Sequence, residues 1–313
     1  MKIVIVGAGA IGSLLAAMLS KTKEEVWVLE KDKERSAIIN KHGISIEGVS
    51  GSWNAKVKAT VDVSEVDKAD LVLICVKSYD TKKAVLSAKP LLHKNTVVLT
   101  LQNGIGNIEV ISEIIGENMV MGGATSQGAT LIKPAHVRHA GKGETVIGFI
   151  DGRTTVEIRS IRELFNKAGL EIKISRDIKS VLWSKLIVNV GINAISALTR
   201  MKNGKLIEFE GTRKILRAAV SEAVRIAKRK RVKLIYDDPL AKVEAVCEST
   251  AQNISSMLQD VLNKKKTEID YINGVVVRLG QELSIPTPVN SLLVDLVKTI
   301  ESGYESVVEN SRS

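Results

Sequence analysis

The sequence predicts an α/β domain followed by an all-α domain, and three observations carry that prediction. The apolar run KIVIV at 2–6 leads into a glycine-rich turn and then into a helix-compatible stretch. Strand-length apolar runs alternate with helical stretches from there to about residue 176, as a mostly parallel, doubly wound sheet requires. Long amphipathic stretches then take over, and their period predicts helices at 177–200, 208–230, 239–262, 268–282 and 287–302. The domains are therefore placed at 1–176 and 177–313.

KIVIV has the continuous apolar character of a strand buried on both faces. It runs into Gly7-Ala8-Gly9-Ala10-Ile11-Gly12, and SLLAAMLSK follows. Strand, G-x-G-x-x-G and helix in that order form a dinucleotide-binding turn. Gly7 permits the tight turn, Gly9 lets the backbone approach a pyrophosphate, and Gly12 lets helix and strand pack closely. The free N–H groups of the helix start then face the anion. The next strand, in EVWVLEKDKER, ends at Glu30, 18 residues after Gly12. A carboxylate there accepts from an adenosine ribose and repels a 2′-phosphate. Lys31 follows at once and suits that phosphate, so the signal is divided, with a lean to NADH over NADPH carried by Glu30.

DLVLICVK (70–77) and TVVLTLQNGIG (96–106) read as further buried strands. Ligands of such sheets bind at the carboxyl ends of the strands, which points Lys77 and Asn103 at the cofactor crevice. The plainer alternatives are a solvated cation for Lys77 and an ordinary turn pair for Asn103-Gly104. The alternating stretch 126–150 predicts antiparallel strands appended to the same sheet, with His136 and His139 as surface or edge-strand residues and no metal site. EIKIS (171–175) supplies the last strand.

In the second half, WSKLIVNVGIN (183–193) carries Lys185, Asn189 and Asn193 at spacings of four, on one stripe of an otherwise apolar helix. Two further stretches hold polar groups, NISSMLQD (253–260) and KTEIDYING (266–274). Asn253 and Ser256, three apart, are expected on one helical face, and Asn203-Gly204 is expected to close and cap the first helix of the domain. The plain alternative for each residue is mutual satisfaction inside a helix bundle.

Composition narrows the classes. The chain has 313 residues, 44% hydrophobic and 26% charged, as in globular proteins. No run approaches the roughly 20 uninterrupted apolar residues that span a bilayer. The two cysteines, Cys75 in a predicted buried strand and Cys247 in a predicted helix, are expected as buried structural thiols, and the protein is placed in the cytoplasm. A net charge of +10 suits nucleic acid or small anionic ligands. Aromatic residues at 3% offer few stacking platforms, and the basic run AKRKRVK (227–233) reads as a solvated helix end.

Taken together, GAGAIG (7–12), VKSYD (76–80), LQNGIG (101–106), WSKLIVNVGIN (183–193), SSMLQD (255–260) and TEIDYING (267–274) resemble the signatures of the ketopantoate reductases. That resemblance implies a Rossmann-like N-terminal domain, an α-helical C-terminal domain and an active site in the cleft between them. It also implies NAD(P)H-dependent reduction of ketopantoate on the way to pantothenate and coenzyme A. Lys185 is then the proton donor, and Asn103, Asn189, Asn193, Asn203 and Ser256 contact the substrate. Glu268 lies beside the nicotinamide end, Asn103 and Gly128 touch the cofactor, and Lys77 helps to set its pocket. The glycine turn at Gly7, Ala8, Gly9, Ala10, Ile11 and Gly12, together with Glu30 and Lys31, holds the rest of the dinucleotide. Members of this family commonly pair NADPH with a basic residue at the end of the second strand, which Lys31 matches and Glu30 does not. The partners implied are a small-molecule substrate and a second copy of the chain in a homodimer, without nucleic acid or membrane.

Three rival readings remain from the sequence. A reductase of another 2-oxo or 3-hydroxy acid keeps Lys185 and changes the polar set around it. A protein that senses NAD(H) without turnover has little need of that lysine. A nucleic-acid binder acting through AKRKRVK requires affinity that falls steeply with salt.

Overall fold

The computed structural model describes residues 1–306. The chain forms two compact units, one of residues 1–102 and 106–179, the other of residues 103–105 and 180 onward.

In the first unit the strands are β1 (Lys2–Val6), β2 (Glu25–Leu29), β3 (Ile44–Gly48), β4 (Trp53–Ala55), β5 (Lys58–Thr60), β6 (Leu71–Ile74), β7 (Val97–Thr100), β8 (Val120–Thr125), β9 (Gly128–Lys133), β10 (His136–Gly141), β11 (Thr145–Phe149) and β12 (Ile172–Ile174). The helices between them are α1 (Ala10–Leu19), α2 (Lys33–His42), α3 (Thr81–Ala88), α4 (Asn107–Ile115) and α5 (Val156–Lys167). Eight strands make one sheet in the order β12-β11-β8-β7-β6-β1-β2-β5, parallel except where β11 runs against β8. The chain goes from β1 to β2 on one side and later returns to β6 on the other, so β1 and β6 flank the point where strand order reverses. Val6 is level with Leu29 of β2 and with Ile74 of β6. The residues that leave these three strands therefore emerge at one edge of the sheet, the usual ligand-binding edge.

Continuous apolar strands form here because both faces are covered: β1, β6 and β7 bury almost every side chain. Ile3, Ile5, Leu14, Leu73, Leu99 and Phe165 belong to one core cluster. Each such side chain contributes about 1.5–3 kcal/mol on burial. The strands are shorter than the apolar runs suggested. β6 stops at Ile74, leaving Cys75 half-buried beyond its end and Lys77 ahead of a 3-10 turn at Ser78–Asp80. The alternating stretch 126–150 divides, correcting the expectation of a single appended set. β11 joins the large sheet, whereas β9 and β10 pair with each other and make a separate sheet in the order β4-β3-β10-β9. His136 and His139 thus lie on an interior strand. His139 is 1% exposed, its ring held between Ser50 Oγ at 2.9 Å and Gln127 Oε1 at 2.8 Å. Period-two alternation reports which faces are buried and says nothing about which neighbour a hairpin joins.

The second unit is helical, with α6 (Ile178–Thr199), α7 (Lys205–Glu208), α8 (Glu210–Arg229), α9 (Pro239–Ser249), α10 (Ser256–Leu262), α11 (Asn273–Glu282) and α12 (Pro288–Ser302). By length and composition α6 could cross a membrane, with a mean hydropathy of 1.5 over its most apolar window, yet 67% of that window is buried within the fold. It is a core helix. Trp183, Leu186, Ile187, Val190 and Ile195 join one cluster with Leu216, Val220 and Val243. At Gly191 a Cβ would stand 2.8 Å from Val243 and 2.9 Å from Val220, so this turn of α6 packs directly on its neighbours.

Two helix expectations fail in this unit. Residues 239–262 do not form one helix: α9 ends at Ser249 and α10 begins at Ser256, where the Ser255 side chain accepts from Leu258 N at 3.0 Å. Asn253 therefore lies in the intervening turn, exposed and off any helical face shared with Ser256. A serine that bonds the backbone three residues ahead favours a helix start over a helix interior. Nor do Asn203 and Gly204 cap α6. That helix ends at Thr199, Arg200 takes a positive φ of 55°, and Asn203-Gly204 form the turn before α7.

Candidate functional site

The first cluster grows from the glycine turn. Gly7 has φ +99°, and a Cβ there would stand 2.7 Å from Val76 Cγ1. At Gly12 a Cβ would stand 2.0 Å from the Gly7 carbonyl oxygen and 3.2 Å from Cys75 Cβ. Only hydrogen fits at either position. Gly9, in contrast, meets nothing nearer than the Cys75 carbonyl at 4.0 Å, so its surroundings are open. Gly9 is also the N-cap of α1, with no side chain bonded to the helix start and no acidic residue in the first turn. Ala8, Ala10 and Ile11 complete a turn whose N-terminal N–H groups and dipole suit an anion, as a dinucleotide pyrophosphate requires.

Glu30 leaves β2 beside this turn, 5% exposed. Its Oε2 accepts from Ala8 N at 2.8 Å and from an Arg35 guanidinium N–H at 3.2 Å; its Oε1 accepts from Lys31 N at 2.9 Å and Asp32 N at 3.3 Å. The four acceptor directions of a carboxylate are thus all engaged within the protein. Lys31 is exposed and pairs with Asp80 at 2.8 Å, which ties the end of β2 to the turn that follows Lys77. Lys77, half-buried, is the N-cap residue of that turn. The structure therefore gathers Gly7 to Gly12, Glu30, Lys31 and Lys77 at one edge of the sheet. Gly128 opens β9 in the small sheet, opposite Gly141.

Two residues of this cluster were not singled out from sequence. Arg35 lies five positions after Glu30, a spacing with no recognised pattern. Gln102, nearly buried, donates to the Val76 carbonyl at 2.8 Å and to Thr81 Oγ1 at 2.8 Å, and accepts from Thr100 Oγ1 at 2.9 Å. It holds the backbone beside Lys77, and only the three-dimensional pairing of β6 with β7 reveals it.

The second cluster lies in the helical unit. Lys185 is half-buried on α6, and withdrawal from water holds its ammonium pKa down to about 8, with the Glu268 carboxylate acting in the opposite direction. Glu268 is 5% exposed and occupies the N-cap position of the 3-10 turn Ile269–Tyr271, without a side-chain bond to that turn's start. The Asn103–Ile105 segment packs on that turn: Ile105 N donates to the Tyr271 carbonyl at 3.1 Å, and a Cβ on Gly104 would stand 2.3 Å from the same oxygen. Asn103 is thereby anchored one residue from a contact with the element that carries Glu268. Asn189 is half-buried and Asn193 is 5% exposed. Among the described residues, the side chains of Lys185, Asn189 and Asn193 make no hydrogen bond. Asn203 is held by Asn253 O and Thr250 Oγ1, yet its buried Oδ1 has no partner among the described residues. Ser256 is exposed at the first position of α10. No group of metal-ligating side chains occurs among the described residues.

Polar groups withdrawn from water are ordinarily paired. An ammonium and two amides left with bonding capacity on an apolar helix can donate to an anion, polarise a carbonyl and accept from a hydroxyl. For the first cluster, Gly12→Ala should raise the dissociation constant for a reduced dinucleotide at least tenfold, about 1.4 kcal/mol. Fluorescence titration of the folded variant checks this, and undiminished affinity would remove the turn from the binding site.

The sequence model of ketopantoate reductase PanE/ApbA matches residues 3–152, and that of the ketopantoate reductase PanE/ApbA C terminal matches residues 177–301. The 2-dehydropantoate 2-reductase of Pyrococcus horikoshii is 39% identical over 302 residues, covering 96% of this chain and 98% of the relative. Among solved structures, a PanE/ApbA family ketopantoate reductase from Ralstonia eutropha superposes with a TM-score of 0.90 at 36% identity, over 97% of this chain and 100% of the other. D-mandelate dehydrogenase, solved with NADH and anilino(oxo)acetate, gives 0.91 at 27% identity with the same coverage. With both halves matched in order by the family's own sequence models, the chain belongs to the ketopantoate reductase family.

Proposed function

We propose that the protein reduces 2-dehydropantoate to pantoate with a reduced pyridine nucleotide. The observation that carries this reading is the stripe on α6, where Lys185, Asn189 and Asn193 keep unspent hydrogen-bonding capacity while Glu268 acts on the lysine. Relatives that bear the name 2-dehydropantoate 2-reductase, at up to 39% identity over nearly the whole chain, support it.

When bound, the reduced nicotinamide supplies a hydride to C2 of the 2-oxo acid. The C2 oxygen then gains negative charge and needs a proton. Lys185 stabilises that charge through its ammonium and then gives up a proton, leaving a hydroxyl on the product and a neutral amine on the enzyme. A pKa near 8 suits the task better than the ordinary 10.5, since the group stays mostly protonated at neutral pH and releases its proton more readily. Solvent restores the proton. Asn103, Asn189 and Asn193 offer amide donors and acceptors without added charge, and the orphan Oδ1 of Asn203 suits the substrate hydroxymethyl group. The exposed Ser256 hydroxyl donates to the substrate carboxylate. A homodimer belongs to the same reading, and exposed Leu292 and Leu296, one turn apart on α12, offer it an apolar face.

Of the two cofactors, the surroundings of Glu30 favour NADPH, against the lean from sequence alone. The carboxylate has no acceptor direction left for ribose hydroxyls, and Lys31 and Arg35 supply positive charge beside it. The expected result is kcat/KM for NADPH above that for NADH, with Lys31→Ala narrowing the ratio several-fold, as the loss of one charge-assisted hydrogen bond requires. A preference for NADH in the unaltered protein overturns this assignment.

The pH dependence follows from the sign of the Lys185 shift. The acid form prevails below about pH 8, so kcat should be flat near pH 7 and fall as pH rises through 8. Initial rates across pH 6–10 check it, and a rate that climbs over this range contradicts a proton donor. Lys185→Ala should lower kcat by about 10²-fold or more, the usual span for a lost general acid, with cofactor affinity nearly unchanged. Oxidation of NADPH and NADH with 2-dehydropantoate, alongside a panel of other 2-oxo acids including an aryl one, tests the substrate. Preference for another acid of the panel favours a reductase of that acid on the same scaffold. Tight nucleotide binding without turnover on any of them favours a sensor.

A further inference from the structure

The helical unit contains a second polar set, remote in sequence from the stripe and fully buried. Glu222 on α8 is 4% exposed, and Asn273 and Asn290 are 0% exposed. The Glu222 carboxylate accepts from Val289 N and Asn290 N at 3.0 Å each and from Asn290 Nδ2 at 2.7 Å. Those two backbone donors belong to the first turn of α12. Pro288, which has no N–H, precedes them, and the N-cap Thr287 makes no side-chain bond to the helix. A carboxylate from another helix therefore takes the place of a local cap, where the helix dipole favours negative charge.

The chain of bonds continues. Asn290 Nδ2 also donates to the Ala219 carbonyl at 3.0 Å, and its Oδ1 accepts from Asn273 Nδ2 at 2.9 Å. Asn273 Nδ2 in turn reaches the Val190 carbonyl of α6 at 3.3 Å, at the centre of the stripe and adjacent to Asn189. Asn273 is also the first residue of α11, five positions after Glu268 and directly behind the 3-10 turn that Glu268 precedes. One side chain thus bonds the backbone of the lysine-bearing helix and sits on the segment that holds its carboxylate neighbour. The same turn of α6 packs closely at Gly191 on Val220 of α8 and Val243 of α9.

Burying a carboxylate and two amides among aliphatic side chains costs free energy that a packed apolar set of equal volume avoids. Polar networks kept at that cost fix register. We propose that Glu222, Asn290 and Asn273 are positioning residues, a buried relay that sets α6 in register against the turn bearing Glu268 and so fixes Lys185 relative to that carboxylate. The relay rests on Lys185 acting as proton donor for its functional meaning, but its geometric content can be tested without turnover.

The test uses full-length protein labelled with [15N]lysine, the Lys185 signal being assigned by its loss in Lys185→Arg. Asn273→Ala and Glu222→Gln each remove a link, at opposite ends of the relay. Among the described charged groups, Glu268 is the one that acts on Lys185, so a loosened register weakens the influence that keeps the ammonium protonated. The Lys185 titration midpoint should fall by about half a pH unit or more in both variants. With substrate, kcat should drop on the order of tenfold, as for a misplaced catalytic group, while dinucleotide affinity stays unchanged. A folded variant with a lower melting temperature but an unmoved Lys185 midpoint would falsify the relay, leaving the network a stabilising feature only. If one variant fails to fold, the other decides on the same criterion. Should the unaltered protein reduce no 2-oxo acid, the proposed function fails while the titration still settles the relay.

Discussion

A polar group taken out of water must find a partner, and the helical unit is arranged around that constraint. Its apolar helices carry two polar sets that meet it in opposite ways. Glu222, Asn290 and Asn273 spend almost all their capacity on one another and on helix backbone, leaving one oxygen of Asn273 without a partner among the described residues. Lys185, Asn189 and Asn193 spend none of theirs within the described protein. The first pattern holds a structure in place, and the second leaves capacity for a ligand. Similar residue types have different uses because of their neighbours, not because of their chemistry.

In the α/β unit the corresponding constraint is space. The turn between β1 and α1 closes to the point where Gly12 touches the Gly7 carbonyl and Gly7 touches Val76. That closeness keeps side chains away from the helix start, whose N–H groups remain available to an anion. Glu30 adds a brace from β2 to the amide of Ala8, so the acidic residue at the strand end supports the turn. Gln102 does comparable work from the next strand, holding the backbone at Val76 beside Lys77.

Much of this was legible in the sequence. Uninterrupted apolar runs marked β1, β6 and β7 because strands covered on both faces have no polar side. The glycine spacing marked the turn because no other residue has room at Gly7 or Gly12. Spacings of four marked the stripe because the α-helix returns to the same face at that interval. Failures occurred where a local pattern has two solutions. The hairpin of β9 and β10 could pair with either sheet, and 239–262 reads as one amphipathic run until Ser255 starts a new helix. His139 has the appearance of a surface residue until its ring is found between Ser50 and Gln127.

By itself the sequence determined the two-part architecture, the glycine turn between β1 and α1 and the identity of the polar residues on α6. These depend on residue size, backbone freedom and helical period, which act over a few neighbouring positions. Only the tertiary structure decided which polar groups are spent and which are left over. It placed Glu222 under the first turn of α12, Asn273 against Val190, and Arg35 and Ala8 on Glu30. Hydrogen-bond partners separated by tens of residues are chosen by packing, and packing depends on the whole fold at once.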